Sequence, residues 1–140
     1  MKPENQKALD EYLSRADEIG NDILADTEEM LGSLPFIFPV LKERPEYFAL
    51  TGIADQMVCR PGHLSPKTAE LVAVAAAAGA GADQCLRVHI KAAVKEGAHR
   101  DEIYDAILIA ATIGKTRVLA PALREFRSAF PEKAGSDRKP

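Results

Sequence analysis

The sequence has few of the features that mark secreted, nucleic-acid-binding and membrane proteins. Its two cysteines, Cys59 and Cys85, are too few for a disulfide framework, and the polar residues 1–11 do not resemble a secretory leader. A formal net charge of −3 provides no field for binding a phosphate backbone or an anionic membrane surface. The longest apolar run, residues 71–80, is about half of the ~20 residues that a bilayer-spanning helix needs. We therefore expect a cytoplasmic protein with no nucleic-acid or membrane partner.

The composition fits a small globular protein. The 140 residues have room for one domain, and a content of 46% hydrophobic and 28% charged residues suits a soluble chain with a buried core. The alternating runs typical of strands are absent, so we expect an all-α bundle of about six helices around a central helical hairpin. Its segments are an N-terminal amphipathic helix (residues 1–33), a helical domain (34–130) and a disordered tail (131–140).

Apolar spacing, proline and glycine divide the first half of the chain. Apolar residues recur every three or four positions over residues 4–31, which predicts one long amphipathic helix ending at Gly32. Pro45 fits the first turn of a second helix, which we expect to reach about Cys59 before the chain breaks. The buried side of this second helix is expected to carry Phe48, Ile53 and Met57.

The central hairpin is predicted from its start and stop signals. A helix over residues 65–78 begins with Ser65, which can cap free amides, and with a proline, which needs no amide partner. Gly79 and Gly81 make a short break before a helix over residues 83–96, which Gly97 stops.

Acidic residues mark the start of the next helix. Asp101 and Glu102 carry the negative charge that a helix N-terminus favours. His99, just before them, is expected to be an exposed loop residue or a helix cap. We expect a final helix from about Lys115, kinked or restarted at Pro121.

Cys85 and His89 are the strongest candidates for chemistry. They are four residues apart, so they project from the same face of the predicted helix. Cys85 falls in the first turn, where free amides and the helix dipole favour a thiolate. A nucleophilic sulfur with a base within reach is the arrangement of an activated cysteine. The alternative is a small buried thiol beside a hydrogen-bonded core histidine.

Glu70 is a carboxylate among apolar neighbours on the first helix of the hairpin. It is either a solvated acid that stabilises the helix start or a buried acid that needs a partner. His89, across the hairpin, is the obvious partner. The three residues would then form a Glu, His, Cys relay that moves a proton away from sulfur.

A metal site is the competing interpretation of the same residues. Cys59 and His63 repeat the spacing of Cys85 and His89, and four such side chains could bind zinc. The spacings match no common zinc motif, and Cys59 and His63 straddle an Arg-Pro-Gly break. We therefore expect no metal and no cofactor.

The spacing of the candidate residues resembles a family motif. Redox members of the carboxymuconolactone decarboxylase and alkylhydroperoxidase D-like (AhpD-like) superfamily carry Glu, eleven residues, Cys-x-x-Cys, three residues and His. Here Glu70 is followed by eleven residues, then by Ala82-x-x-Cys85, and after three more residues by His89. The resemblance covers about residues 45–127.

The resemblance implies an AhpD-like helical bundle and a thiol oxidoreductase that reduces peroxides or disulfides as an antioxidant. Cys85 would be the attacking thiolate, His89 its base and Glu70 the residue that orients the histidine. The family also implies a trimer or hexamer. Ala82 replaces the first cysteine of the motif, so a disulfide cannot form there and an external thiol or dithiol reductant is needed. Cys59 could substitute only if its Cα came within ~7 Å of that of Cys85.

Two other functions remain open from the sequence. Decarboxylase-type relatives resemble the chain and keep the histidine without the cysteine pair, which implies a non-redox enzyme or a small-molecule binding protein that uses His89 and Glu70. Arg87 is the only nearby arginine for an acidic substrate. A third possibility is a structural oligomer whose hairpin only assembles subunits.

Uneven charge and surplus apolar surface point to self-association. Residues 1–33 carry nine acids and three bases, a net charge of −6, whereas residues 114–140 carry three acids and seven bases, a net charge of +4. These two ends could attract each other. Alternatively, they are solvated helix faces, because exposed ion pairs contribute little to stability. The alanine-rich hairpin and the N-terminal helix offer more apolar surface than one small domain buries, so we expect a homo-oligomer.

Overall fold

The computed structural model of the protein describes residues 1–131, which form seven helices and no strand. The helices are α1 (Pro3–Leu13), α2 (Ala16–Leu31), α3 (Ile37–Leu41), α4 (Pro45–Cys59), α5 (Pro66–Ala80), α6 (Asp83–Lys95) and α7 (Arg100–Ala129). The all-α prediction is confirmed, and α5 and α6 form the hairpin. The tail predicted over residues 131–140 lies, apart from Pro131, outside the described residues. The division of the chain into three segments stays a prediction.

The α5–α6 hairpin forms because its capping residues suit the helix ends. The Ser65 hydroxyl accepts a hydrogen bond from the Thr68 N–H at 3.1 Å, which caps the start of α5. Gly81 ends α5 in the left-handed conformation (φ +69°), which a residue without a Cβ adopts at low cost. The Ala82 N–H then donates to the Ala77 carbonyl at 2.9 Å, and α6 begins at the next residue. The hairpin therefore has a short, defined turn directly before the candidate cysteine.

The first turns of α7 pack against the hairpin. Gly97, with a φ of +83°, ends α6 and turns the chain toward α7. Four buried residues from the three helices and their loop form one core cluster. They are Val74, Ala93, Ala98 and Ile103. Ile103 is the only buried residue of α7, and the partly buried Ala106 and Ile107 also pack against this core, so the core holds the first turns of that helix.

Glu102 fixes the start of α7. Its carboxylate accepts a hydrogen bond from Lys67 Nζ on α5 at 2.8 Å and another from the His99 N–H at 2.8 Å. Both donors stabilise the ionised carboxylate, so they lower the pKa of Glu102 below its ordinary value. The interpretation of His99 as a helix cap is confirmed, because His99 and Glu102 form a capping box.

α7 is one continuous helix, so the prediction of a separate final helix from about Lys115 is wrong. Gly114 keeps helical geometry, and Pro121 lies inside the helix without ending it. Pro121 removes only the N–H that would bond the Arg117 carbonyl, and the other backbone hydrogen bonds suffice to carry the helix past it.

By length and composition α7 would also suffice to span a bilayer, since one 18-residue window has a mean hydropathy of 1.5 and none of that window is buried.

The N-terminal segment consists of two helices, so the prediction of one helix over residues 4–31 is also wrong. The break follows α1 at Ser14, whose hydroxyl donates to the Glu11 carbonyl at 2.7 Å and whose neighbour Arg15 bonds the Tyr12 carbonyl. Such side-chain bonds compete with helix continuation. The break lets the Tyr12 hydroxyl donate to the Ala49 carbonyl of α4 at 2.9 Å.

α4 begins and ends as predicted, but the prediction of its buried side is wrong in part. Phe48 is only 1% exposed, whereas Ile53 is 37% and Met57 is 72% exposed. The face that meets α2 instead contains Gly52, whose missing side chain leaves space for Ile23. A contact between helices that depends on a glycine cannot be found from the spacing of large apolar residues.

We predict that Gly52→Ala destabilises the protein, whereas Gly79→Ala does not. A Cβ at position 52 would lie 3.0 Å from both Cγ2 and Cδ1 of Ile23, which is buried and β-branched and so has little room to adjust. Overpacking of this kind costs about 1–3 kcal/mol, more than the ~1 kcal/mol that alanine gains over glycine in a helix.

The control, Gly79→Ala in α5, adds a Cβ that meets nothing within 4 Å, so only the gain in helix propensity should remain. Urea unfolding of both variants, followed by circular dichroism, measures the two effects. An equal rise in the unfolding midpoint of both variants would contradict the close approach of α2 and α4.

Candidate functional site

The site is organised by a hydrogen bond between Glu70 and His89. Glu70 Oε2 on α5 lies 2.8 Å from His89 Nδ1 on α6. The Glu70 residue is only 6% exposed, and the His89 side chain is 20% exposed. The sequence left two interpretations of Glu70, a solvated acid and a buried acid with a partner. In the structure Glu70 is buried and its partner is His89.

This hydrogen bond determines what the imidazole can do. An ionised carboxylate only accepts hydrogen bonds, so an ionised Glu70 requires the hydrogen on Nδ1 of His89. The second ring nitrogen, Nε2, is then free to accept a proton. A buried acceptor behind a histidine is the arrangement that orients a general base in many enzymes.

Cys85 is the third residue of α6 and is exposed. It lies one turn before His89 on the same helix, and both residues line one cavity. The first turn of a helix has amides without helical partners, which favour an anion there. The structure thus brings Glu70, His89 and Cys85, the three residues predicted from the sequence, to one place.

The cavity has a volume of about 580 Å³ and lies between α6, α4, the end of α2 and the segment that contains α3. Most of its walls are apolar: Met30, Leu31, Leu34, Pro35, Phe36, Ile37, Phe38, Val58 and Val88. Its charged lining residues are Arg87, Lys91 and Asp55. A small molecule with an apolar body and a polar reacting group would fit such a cavity.

Sequence reasoning named Cys59 but did not place it at this cavity, and it did not find Gln56. Cys59 is half-buried, and burial together with the negative charges of Glu70 and Asp55 raises the pKa of its thiol. It lines the same cavity as Cys85. Gln56, one turn earlier on α4, has a buried Nε2 for which no hydrogen-bond partner is present. No local sequence signal joins α4 to α6, because the two helices are brought together only by the tertiary fold.

Comparison with known families shows which family the chain belongs to. The model of the carboxymuconolactone decarboxylase family matches residues 45–127, which is more than half of the chain. The chain belongs to this family. The match confirms the resemblance seen in the sequence and extends over α4 to α7, with the exception of the last residues of α7. Searches of curated proteins and of solved structures gave no match.

In this member of the carboxymuconolactone decarboxylase family, the residue that departs from the redox motif is Ala82, at the start of α6. Ala82 is half-buried and directly precedes the first residue of α6. Position 82 is thus at the same helix end as Cys85, where a second sulfur would face the first across one turn. The alanine contributes no donor, acceptor or nucleophile there.

Three of the four residues considered for a metal, Cys59, Cys85 and His89, line the cavity, but the fourth, His63, lies exposed in the loop after α4. Over residues 1–131, no group of three or more His, Cys, Asp or Glu side chains is arranged to hold a metal ion.

We predict that Cys85 is alkylated faster than Cys59 near neutral pH. Cys85 is exposed, whereas the raised pKa of Cys59 leaves less of the reactive thiolate at any pH below that value. The alkylation rate of Cys59 should therefore approach that of Cys85 only at alkaline pH. Timed iodoacetamide labelling with peptide mass spectrometry gives both rates.

His89→Ala should slow the alkylation of Cys85, since it removes the neighbouring base. His63→Ala, which changes an exposed loop histidine, is the matched control and should leave the rate unchanged. Equal rates for the two cysteines across the pH range, or no effect of His89→Ala, would remove the relay from the mechanism.

Proposed function

We propose that the protein is an AhpD-like thiol oxidoreductase that reduces a peroxide or a disulfide. Cys85 is the attacking thiolate, His89 is the base and Glu70 orients the histidine. The observation that carries the proposal is the 2.8 Å bond between buried Glu70 and His89, with Cys85 one helical turn away on the same cavity. A Glu–His pair beside an exposed thiol has the parts that proton transfer from sulfur requires.

With a peroxide the proposed reaction begins at Cys85. His89 Nε2 takes the thiol proton, and the thiolate attacks the terminal peroxide oxygen. The S–O bond forms as the O–O bond breaks, which leaves Cys85 as a sulfenic acid and releases an alcohol that takes up the proton. Sulfur is oxidised and the peroxide is reduced. The apolar walls of the cavity would hold the body of an organic peroxide during this step.

Ala82 limits the turnover of this reaction. In the redox motif the cysteine at this position closes a disulfide with its neighbour, and here it is missing. A sulfenic acid at Cys85 must therefore react with another thiol before the enzyme can turn over. An external thiol or dithiol supplies the two electrons that restore Cys85.

A second candidate function uses the same pair without sulfur chemistry. Glu70 and His89 form a general-base pair on their own, and Arg87 on the cavity wall could bind an acidic group. These features and the alanine at position 82 favour a non-redox enzyme or a small-molecule binding protein as the alternative. Reactivity of Cys85 toward a peroxide or a disulfide distinguishes the two functions.

We also propose that the protein is a soluble, cytoplasmic homo-oligomer in which a second copy covers α7. Large apolar side chains that are more than half exposed follow one another along this helix: Ile109, Ile113, Val118, Leu123, Phe126 and Phe130. Exposed apolar surface of this extent is typical of an interface. The basic residues near the C-terminus complement the acidic N-terminal helices, so α7 of one copy suits the α1–α2 surface of another.

The charges of α7 favour a protein partner over a bilayer. Lys115 lies at the middle of the helix and Arg117 follows two residues later. A lysine or arginine at the centre of a membrane-spanning helix costs about 2.5–3.5 kcal/mol on insertion scales, whereas a subunit interface can pair it with a carboxylate.

The redox function predicts that Ala82→Cys raises dithiol-dependent turnover. Without a reductant the unsubstituted chain should consume about one peroxide per subunit, because its oxidised sulfur is not restored. A cysteine at position 82 restores the Cys-x-x-Cys pair at the start of α6, where the second thiol can close a disulfide quickly. Peroxide consumption in the presence of a dithiol measures the difference. His89→Ala should lower the rate about 10²-fold in both backgrounds.

Circular dichroism serves as the folding control for these variants. If the unsubstituted chain and Ala82→Cys are both folded and equally inactive toward peroxides and disulfides, the redox function is wrong. The non-redox function then takes its place, with substrate-dependent protection of His89 from chemical modification as its test.

The oligomer proposal predicts a mass of three or six times the 15.2 kDa subunit in detergent-free buffer. Ile113→Asp should dissociate the assembly, because it places a charge on the exposed apolar face of α7. Val94→Asp, at an exposed apolar position on α6, is the matched control and should not. Sedimentation velocity at micromolar concentration gives the mass. A monomer, or aggregates that dissolve only in detergent, would contradict the assembly.

A further inference from the structure

The cavity contains a second thiol in addition to the proposed nucleophile. Cys59 comes from the end of α4 and Cys85 from the start of α6, and both line the same cavity of about 580 Å³. They are the only cysteines of the chain, and both are free. The redox chemistry proposed above lacks a second sulfur at position 82, whereas the fold supplies one from a different helix.

We propose that Cys59 is the resolving thiol of this site, which attacks oxidised Cys85 and closes a Cys59–Cys85 disulfide. This inference rests on the proposed thiol chemistry of Cys85. It makes the chain a peroxide reductase with two cysteines from separate helices, in which an external dithiol reduces the internal disulfide.

The atoms and electrons of the cycle balance. The peroxide first converts Cys85 to a sulfenic acid and leaves as an alcohol. The Cys59 sulfur then attacks the Cys85 sulfur, the S–S bond forms and the S–O bond breaks. The hydroxyl leaves with the Cys59 thiol proton as water. The two sulfurs together have given two electrons to one peroxide, and a dithiol returns two electrons by exchange.

The surroundings of the two sulfurs suit different roles. Exposed Cys85 has His89 one turn away, whereas half-buried Cys59 is in the field of two carboxylates, Glu70 and Asp55. Burial and these charges raise the pKa of Cys59, so it stays a thiol while Cys85 meets the peroxide. Oxidation would therefore begin at Cys85 and be resolved at Cys59.

The end of α4 is the part of that helix that can move at least cost. A disulfide requires the two Cα atoms to come within ~7 Å. Cys59 is the last residue of α4, and Arg60, which follows it, already has non-helical geometry (φ −118°, ψ 61°). The last carbonyls of a helix have no helical partners, so a displacement of Cys59 breaks few backbone hydrogen bonds. Gly62, with open space around it, lies in the exposed loop that would take up the change.

The test is the fate of both thiols after one equivalent of peroxide. The unsubstituted chain is treated with cumene hydroperoxide without reductant, blocked with an alkylating agent and digested for mass spectrometry under non-reducing conditions. We expect two thiols lost per peroxide consumed, one linked Cys59–Cys85 peptide pair, and a rate of linkage that does not depend on protein concentration.

Variants separate a resolving role from a structural one. Cys59→Ser and Cys59→Ala should both lose one thiol per peroxide, accumulate a dimedone-reactive sulfenic acid at Cys85 and turn over more slowly with a dithiol. In the double variant Ala82→Cys with Cys59→Ser, the new cysteine should restore turnover, which it would not do if Cys59 were needed only for folding.

Two results would overturn the inference and are distinguishable from each other. If Cys85 becomes a sulfenic acid while Cys59 stays free, or if Cys85 of two chains become linked, the resolving role fails and the thiol chemistry of Cys85 stands. If neither cumene hydroperoxide nor a disulfide oxidises Cys85 in a folded chain, the proposed function fails and this inference fails with it.

Discussion

The hydrogen bond between Glu70 and His89 is the constraint on which the site depends. A carboxylate as buried as Glu70 is costly to hold in the folded state unless a donor meets it, so α5 and α6 have to lie in the register that supplies one. The turn at Gly81 provides that register with a single left-handed residue. The same bond holds the imidazole at the cavity, one turn from Cys85. Folding of the hairpin therefore also brings Glu70, His89 and Cys85 into position.

Local signals in the sequence predicted the hairpin well and the N-terminal half less well. The capping serine before α5 and the glycines after α5 and α6 act through the backbone of their own segment, so the sequence shows their effect directly. The break at Ser14 has no proline or glycine to mark it, and it depends on a side-chain hydrogen bond that many helical serines do not make. The face that α4 buries depends on its fit to α2 at Gly52, which involves residues distant in sequence.

The candidate site shows the same division between local and long-range information. Cys85 and His89 could be paired from the period of one helix, and Glu70 from the geometry of one hairpin. The walls of the cavity come from α2, α4 and the segment between them, and no spacing rule predicts where these pack. The position of Cys59 beside the cavity likewise depends on long-range packing. The family motif, which spans only α5 and α6, contains no information about it.

The attachment of α7 at one end has a mechanical consequence. The Glu102 contacts and the packing of residues 103–107 hold its first turns, while its 30 residues extend for about 45 Å. None of the residues that line the cavity belongs to α7. Substitutions at the far end of α7 therefore leave the walls of the cavity unchanged. The outer surface of the protein could diverge widely during evolution, and acquire different neighbours, while the arrangement of sulfur, imidazole and carboxylate stayed as it is.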